Sequence, residues 1–302
     1  MLIRSSGPID ETFHLLTLGH TCHYLFGTPQ QFALFDPGLS SHCPMLLKRM
    51  ESSAFPIKAL EYIFITHLHA DRIAGIPLLK RQNRKAVVVG NAAMQAKLSQ
   101  DSFVREIYET DFALSKDFQV KVSEPALPYD EFKSLLKIDK VTTDSEIVNV
   151  QPNLQVRIVT APGHTDHSLA YQILPQNFMI VDEGFGYYRG KDLAAPGGDW
   201  NQEEALKSIQ KVSKIEVAAL CFPEGGVLTG QLIRKHFQAL AQNTSDLFSE
   251  CLAAHQASIS DEEIRASVLE SFYTSEQADP VLQANMQASF EAMWKQILAK
   301  RS

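Results

Sequence analysis

"FITHLHADRIAG", from Phe64 to Gly75, carries a strand-like run onto two histidines and an aspartate at alternate positions, His67, His69 and Asp71, with Arg72 directly after them. The residues leading into it, "LEYIFITH", are rich in β-branched and aromatic side chains and read as a buried strand that delivers His67 at its C-terminal end. Where a strand gives way to a helix the backbone turns outward, so side chains at such a junction can converge on one point. His67 and His69 are then a pair of imidazole ligands, with Asp71 approaching from the other side; a surface loop that happens to hold two histidines is the plainer alternative.

Two further strand ends favour the metal. In "TAPGHTDHS" His164 follows a β-rich run and a Pro-Gly turn, and in "MIVDEG" Asp182 closes a strand. Three strand ends presenting His, His, His and Asp suit a borderline divalent ion: zinc first, with iron or manganese where carboxylates join.

Outward from these motifs the chain alternates strands and helices. "FHLLTLG", "CHYLFGT" and "FALFDPG" are apolar runs of strand length closed by Gly or Pro. Ser40 or Ser41 is placed to cap a short helix, a second helix is expected from about Asp71 to Arg81, and Asn91 caps a third. Residues of about 100–140 are polar and helix-prone and read as an insertion lying over the core. Strands resume with "EIVNV", "LQVRIVT", "SLAYQIL" and "FMIVDEG", and a helix near 201–213 leads to "VAALCF" and the loop "PEGG". Mixed alternation of this kind implies a layered α/β core.

From residue 231 the pattern is helical to 302. Ser260 and Glu263 form a capping box, and Asp279 and Pro280 start a final helix. The expected organisation is a body of residues 1–230 and a C-terminal helical cap of residues 231–302, whose apolar stripe needs the core or a second subunit. A homodimer through these helices is therefore one expectation.

Composition limits the function classes. The chain has 302 residues, 45% hydrophobic and 21% charged, and a net charge of 28 − 35 = −7, which argues against a broad surface for nucleic acid. No segment approaches the ~20 unbroken apolar residues of a membrane span, and the N-terminus has neither a secretory nor a transit pattern. Cys22, Cys43, Cys221 and Cys251 show no CxxC spacing and read as reduced thiols of a cytoplasmic protein.

The motifs "FALFDPG", "THLHADRIAG", "APGHTDHSLAY", "IVDEG" and "FPEGG", in this order across residues 14 to about 230, resemble the metallo-β-lactamase superfamily. The resemblance implies a four-layer αββα sandwich with metals at its strand ends. It implies that His67, His69 and His164 hold a first metal, that Asp71 holds a second, that Asp182 bridges them, and that Asp36 is structural. Chain length, the helical insertion and the C-terminal helices are similar to the branch of the Pseudomonas quinolone signal response protein, whose members are thioesterase-like or esterase-like hydrolases. Aligning the double glycine of "FPEGG" with the family's "PGHGG" puts Glu224 where the last histidine ligand stands.

Arg72 and Glu224 thus replace two neutral histidines with a cation and an anion. Either Glu224 ligates a second metal with Asp71 and Asp182 while Arg72 turns aside, or Arg72 pairs with Glu224 and Asp71 and fills that position itself. The expected activity is hydrolysis of an ester, thioester or lactone, a small-molecule substrate, by hydroxide made available when one or two metal ions lower the pKa of bound water toward ~7. Asp71 is expected to orient or deprotonate the water, and the insertion and C-terminal helices to wall the pocket. The rival is a degenerate, non-catalytic member that binds a partner protein or small signal.

Among other residues, His20 and His23 read as packing or surface groups in a hairpin, and Tyr187 and Tyr188 as loop packing with a lesser claim on an oxyanion. His236 and His255 read as partly exposed helical residues, and Cys221 as a small buried hydrophobe.

Overall fold

Along five strands of the second half of the chain, successive side chains enter two different cores. Ile158, Tyr171, Ile180, Cys221 and Val227 face one cluster, while Val159, Ala170, Met179, Leu220 and Leu228 face another that includes Ile209, Val212, Ile233, Phe237 and Leu240 from helices. A sheet covered on both faces has no polar side to show, which is why these strands read as continuous apolar runs.

In the computed structural model the described residues are 1–117, 125–188, 194–195, 201–270, 290–291, 294–295 and 298. They form an αββα sandwich of two seven-stranded sheets with helices on the outer faces. The first sheet runs in the order Gly7–Pro8, Phe13–Leu18, Thr21–Thr28, Gln31–Phe35, Leu60–Phe64, Val87–Asn91, Lys140–Thr142. The second runs Leu2–Ile3, Val227–Thr229, Ala219–Cys221, Phe178–Ile180, Leu169–Leu174, Leu154–Thr160, Ile147–Gln151.

Strand direction gathers the motifs at one edge. Phe178–Ile180 pairs in parallel with Ala219–Cys221, and Leu154–Thr160 is antiparallel to Leu169–Leu174, itself antiparallel to Phe178–Ile180. The three strands preceding His164, Asp182 and Glu224 therefore point the same way. Leu60–Phe64 brings His67 to them, and Leu169 N–H donates to the Thr66 carbonyl at 2.8 Å across the sandwich.

Several local expectations need correction. The helix from Asp71 to Arg81 is two helices, Ala70–Ile73 and Ile76–Gln82, broken at Gly75. A Cβ on Gly75 would lie 2.9 Å from Cys43 Sγ, and its N–H donates to the Gly38 carbonyl at 2.7 Å. Ser40 caps nothing: it starts a 3₁₀ turn, and its hydroxyl and N–H both bond Asp111 of the helix Asp101–Asp117. The Asn91 cap and the Ser260–Glu263 capping box are both formed. The helix expected from Asp279 lies outside the described residues.

Candidate metal centre

His67, His69 and His164 each bring a ring nitrogen within 4.8 Å of the other two. Their rings are nearly perpendicular in pairs, with centroids 4.4 to 4.6 Å apart, so they surround a point rather than stack. His67 Nε2 and His164 Nε2 are 3.1 Å apart. Zinc–nitrogen bonds of about 2.0–2.1 Å at tetrahedral angles separate neighbouring donors by roughly 3.3 Å, so this spacing fits the ion.

A chain of hydrogen bonds settles which His67 nitrogen is available. Thr66 Oγ1 donates its one proton to Asp36 Oδ2 at 2.8 Å, so at 3.0 Å from His67 Nδ1 it acts as acceptor from Nδ1–H. Nε2 is left with its lone pair, as a ligand requires. Burial, reinforced by His164 and His69, holds the His67 pKa well below its ordinary value, so the imidazole stays neutral. Asp36 also accepts the Thr66 backbone N–H and its carboxyl is pushed up by burial to about 7; it braces the site from behind.

His167 belongs to the scaffold. Nδ1–H donates to Asp166 at 2.6 Å and Nε2 accepts the Leu68 N–H at 3.2 Å, which pins the loop between His67 and His69. His23 donates to the Asp36 carbonyl at 2.6 Å and is fully buried.

The second cluster is Asp71, Glu183 and Glu224, again with ligand atoms within 4.8 Å. Arg72 lies among them. Its Nε donates to Glu183 Oε1 at 2.7 Å, and its Nη2 contacts Glu183 Oε1, Glu224 Oε1 and, at 3.1 Å, Asp71 Oδ2. Burial works against the guanidinium's charge, but Asp71, Glu183 and Glu224 together overcome it and raise its pKa well above the ordinary value. Glu224 is shifted upward by burial against the pull of Arg72. Its backbone is fixed by a bridge to Thr21 and by Gly225 N–H donating to the His20 carbonyl.

Asp182, expected at the metal, joins neither cluster. It precedes the 3₁₀ turn Glu183–Phe185 and folds back so that Oδ1 accepts the Gly184 N–H at 3.0 Å; burial, then the charge of Glu183, lifts its carboxyl to about 8. Glu183, which sequence reasoning passed over, takes the inward position. The adjacent acidic pair was the available signal, but a strand end does not reveal which of two neighbours turns inward.

Leu68, Phe103, Ile107 and Leu114 line a cavity of about 630 Å³ with His69 and Asp71 in its wall. Phe103, Ile107, Thr110 and Leu114 form one stripe of the helix Asp101–Asp117, so the insertion walls the pocket as expected. The described residues lining it include none from the C-terminal helices. His236, expected to be partly exposed, is 2% exposed, with Nε2 2.8 Å from the Phe185 carbonyl, and Cys221 is buried. Tyr188 lies with its ring 6.2 Å from that of His236, outside the cavity lining.

Residues 17–175 match the family model of the metallo-beta-lactamase superfamily. A metallo-beta-lactamase fold-containing protein of Sulfurisphaera tokodaii, ST1585, is 20% identical over 60% of this chain and 66% of its own length. Glyoxylase B2 of Dictyostelium discoideum is 28% identical over 41% of this chain and 36% of its own length, so the chain spans less than two thirds of either relative. The solved structure of the metallo-beta-lactamase family protein TTHA1429 from Thermus thermophilus superposes with a TM-score of 0.66 at 15% identity, covering 97% of this chain and 95% of the other. Fold and site agree: two candidate metal-binding triads, His67/His69/His164 and Asp71/Glu183/Glu224, lie within a chain that matches the metallo-beta-lactamase superfamily model.

Proposed function

Because the chain belongs to the metallo-beta-lactamase superfamily and gathers three imidazoles beside an open cavity, we propose that its substrate is an ester, thioester or lactone bearing an apolar acyl part. The carrying observation is the His67–His164 nitrogen pair at 3.1 Å in a cradle that His69 closes. A divalent ion bound there, zinc before iron or manganese, supplies Lewis acidity toward a carbonyl and activates water.

The chain's own residues do the rest. Thr66 and Asp36 hold the His67 tautomer, and His167 fixes the loop by way of Leu68. Asp71, in the cavity wall, accepts a proton from water at a carboxylate oxygen and returns one to the leaving oxygen or sulfur. Arg72 orients Asp71 through the 3.1 Å contact. Leu68, Phe103, Ile107 and Leu114 take the acyl part and keep bulk water from it. A cytoplasmic hydrolase of the Pseudomonas quinolone signal response branch, with residues 231–302 as its cap and dimer face, is the assignment we favour within the superfamily. Among the described residues no helix is long and apolar enough to cross a membrane.

The test is metal analysis of protein purified without added metal, followed by a thioester, ester and lactone panel before and after chelation. Stoichiometric metal with turnover lost on chelation and regained with zinc supports the reading. Trace metal and no turnover above the chelated control would leave the non-catalytic binding protein as the answer.

A further inference from the structure

Three carboxylate oxygens converge on one atom, and that atom is nitrogen. Arg72 Nη2 contacts Asp71 Oδ2, Glu183 Oε1 and Glu224 Oε1, the very residues that make up the second candidate metal triad. A cation and a metal ion cannot share that point. Nor is there an easy way out for the guanidinium: the Arg72 side chain is 1% exposed, and Glu183 and Glu224 are 4% and 2% exposed. Moving it aside would strip a buried charge of three partners, which is strongly destabilising.

Glu183 adds the second observation. Its Oε1 is taken by Arg72, whereas Oε2 is buried, has no hydrogen-bond partner among the described residues, and lies 3.4 Å from both His67 Nε2 and His164 Nε2. A carboxylate oxygen aimed at two imidazole nitrogens that face each other at 3.1 Å makes sense when a cation is to sit among them. Asp71, Glu183 and Glu224 thus bring three acidic side chains to a single guanidinium, which leaves acidic groups in excess for one divalent ion.

We propose that the Arg72 guanidinium permanently occupies the second metal position, and that the protein holds a single divalent ion between His67, His69, His164 and Glu183 Oε2. Glu183 then bridges an ion and a guanidinium. The inference rests on the metal reading above, and it answers in favour of Arg72 the choice left open by the sequence.

The experiment is elemental analysis of wild-type protein after dialysis against excess zinc and removal of loose ions. One zinc per chain is expected. Two per chain would overturn the proposal and leave the hydrolase reading standing, whereas none would withdraw both. Arg72→Ala should take up a second zinc under the same conditions; a folded variant that stays at one would overturn the substitution of guanidinium for metal. Should that variant fail to fold, cobalt titration of the wild type decides, with visible bands saturating at one equivalent expected and at two overturning it. Glu183→Gln should weaken cobalt binding by about tenfold or more and shift those bands. Unchanged bands and affinity would remove Glu183 from the ligand set.

Discussion

Asp36 holds Thr66 by both carboxylate oxygens, Oδ1 taking the backbone N–H and Oδ2 the hydroxyl, each at 2.8 Å. Since the same hydroxyl accepts from His67, a residue that never touches the ion governs how one ligand presents itself. Thr66→Val keeps the shape and removes the hydroxyl. Metal affinity should fall about 10–100-fold with little change in secondary structure. Chelator competition alongside circular dichroism checks this, and an affinity equal to wild type would show that the tautomer is set elsewhere.

Gly163 makes the turn that delivers His164. Its φ of +147° disfavours a side chain, and a Cβ there would meet Ala205 Cα at 2.6 Å, on the helix Gln202–Ser213. Gly163→Ala must displace that helix or the turn, so a loss of about 1–3 kcal/mol is expected in urea denaturation. Metal affinity should drop with it, because His164 is the next residue.

The cavity predicts substrate preference. Phe103→Ala enlarges the apolar wall at one end of the stripe Phe103, Ile107, Leu114. The ratio of kcat/KM for longer over shorter acyl substrates should change by about 10-fold or more, while metal content stays as in wild type. A uniform fall across all chain lengths would mean that this wall does not touch the acyl group.

Acid should weaken the fold through His236. Burial lowers its pKa from 6.5 to about 4 despite the hydrogen bond to Phe185. Below about pH 6.5 the unfolded chain takes up a proton that the native state refuses, so this contribution is intact above 6.5 and is lost as pH falls toward 4, about 3 kcal/mol in all. His236→Gln, able to donate to the same carbonyl, should flatten the fall in urea midpoint between about pH 7.5 and about pH 5. Equal slopes in the two proteins would rule His236 out as a source of acid sensitivity.

What could be read ahead of the structure follows a physical division. His67, His69 and His164 stand at strand ends flagged by local residue types, and the apolar runs announce two-sided burial; both are short-range signals. Glu183 was missed because the choice between it and Asp182 turns on a backbone hydrogen bond to Gly184. Ser40 looked like a cap until Asp111, 71 residues away, claimed it. The break at Gly75 arises from close approach to Cys43, and the burial of His236 from Phe185 51 residues earlier. Each of these depends on a partner that local pattern does not identify. The pairing of Arg72 with Glu224 across 152 residues was legible only because both departed from a motif at once.

The pairing of Leu2 with Leu228 and of Ile3 with Val227 sets an order of assembly. Glu224 reaches Arg72 from the loop between Ala219–Cys221 and Val227–Thr229, and the outer of those two strands is completed by residues 2 and 3. During synthesis Glu183 and Glu224 are made 111 and 152 residues after the guanidinium they pair with, and the sheet edge beside Glu224 stays open until the chain has passed residue 229. Such long-range closure is slow relative to helix formation. The buried charge cluster therefore closes late in the chain, and a chain arrested before residue 224 would carry Arg72 without the second of its two most buried carboxylates.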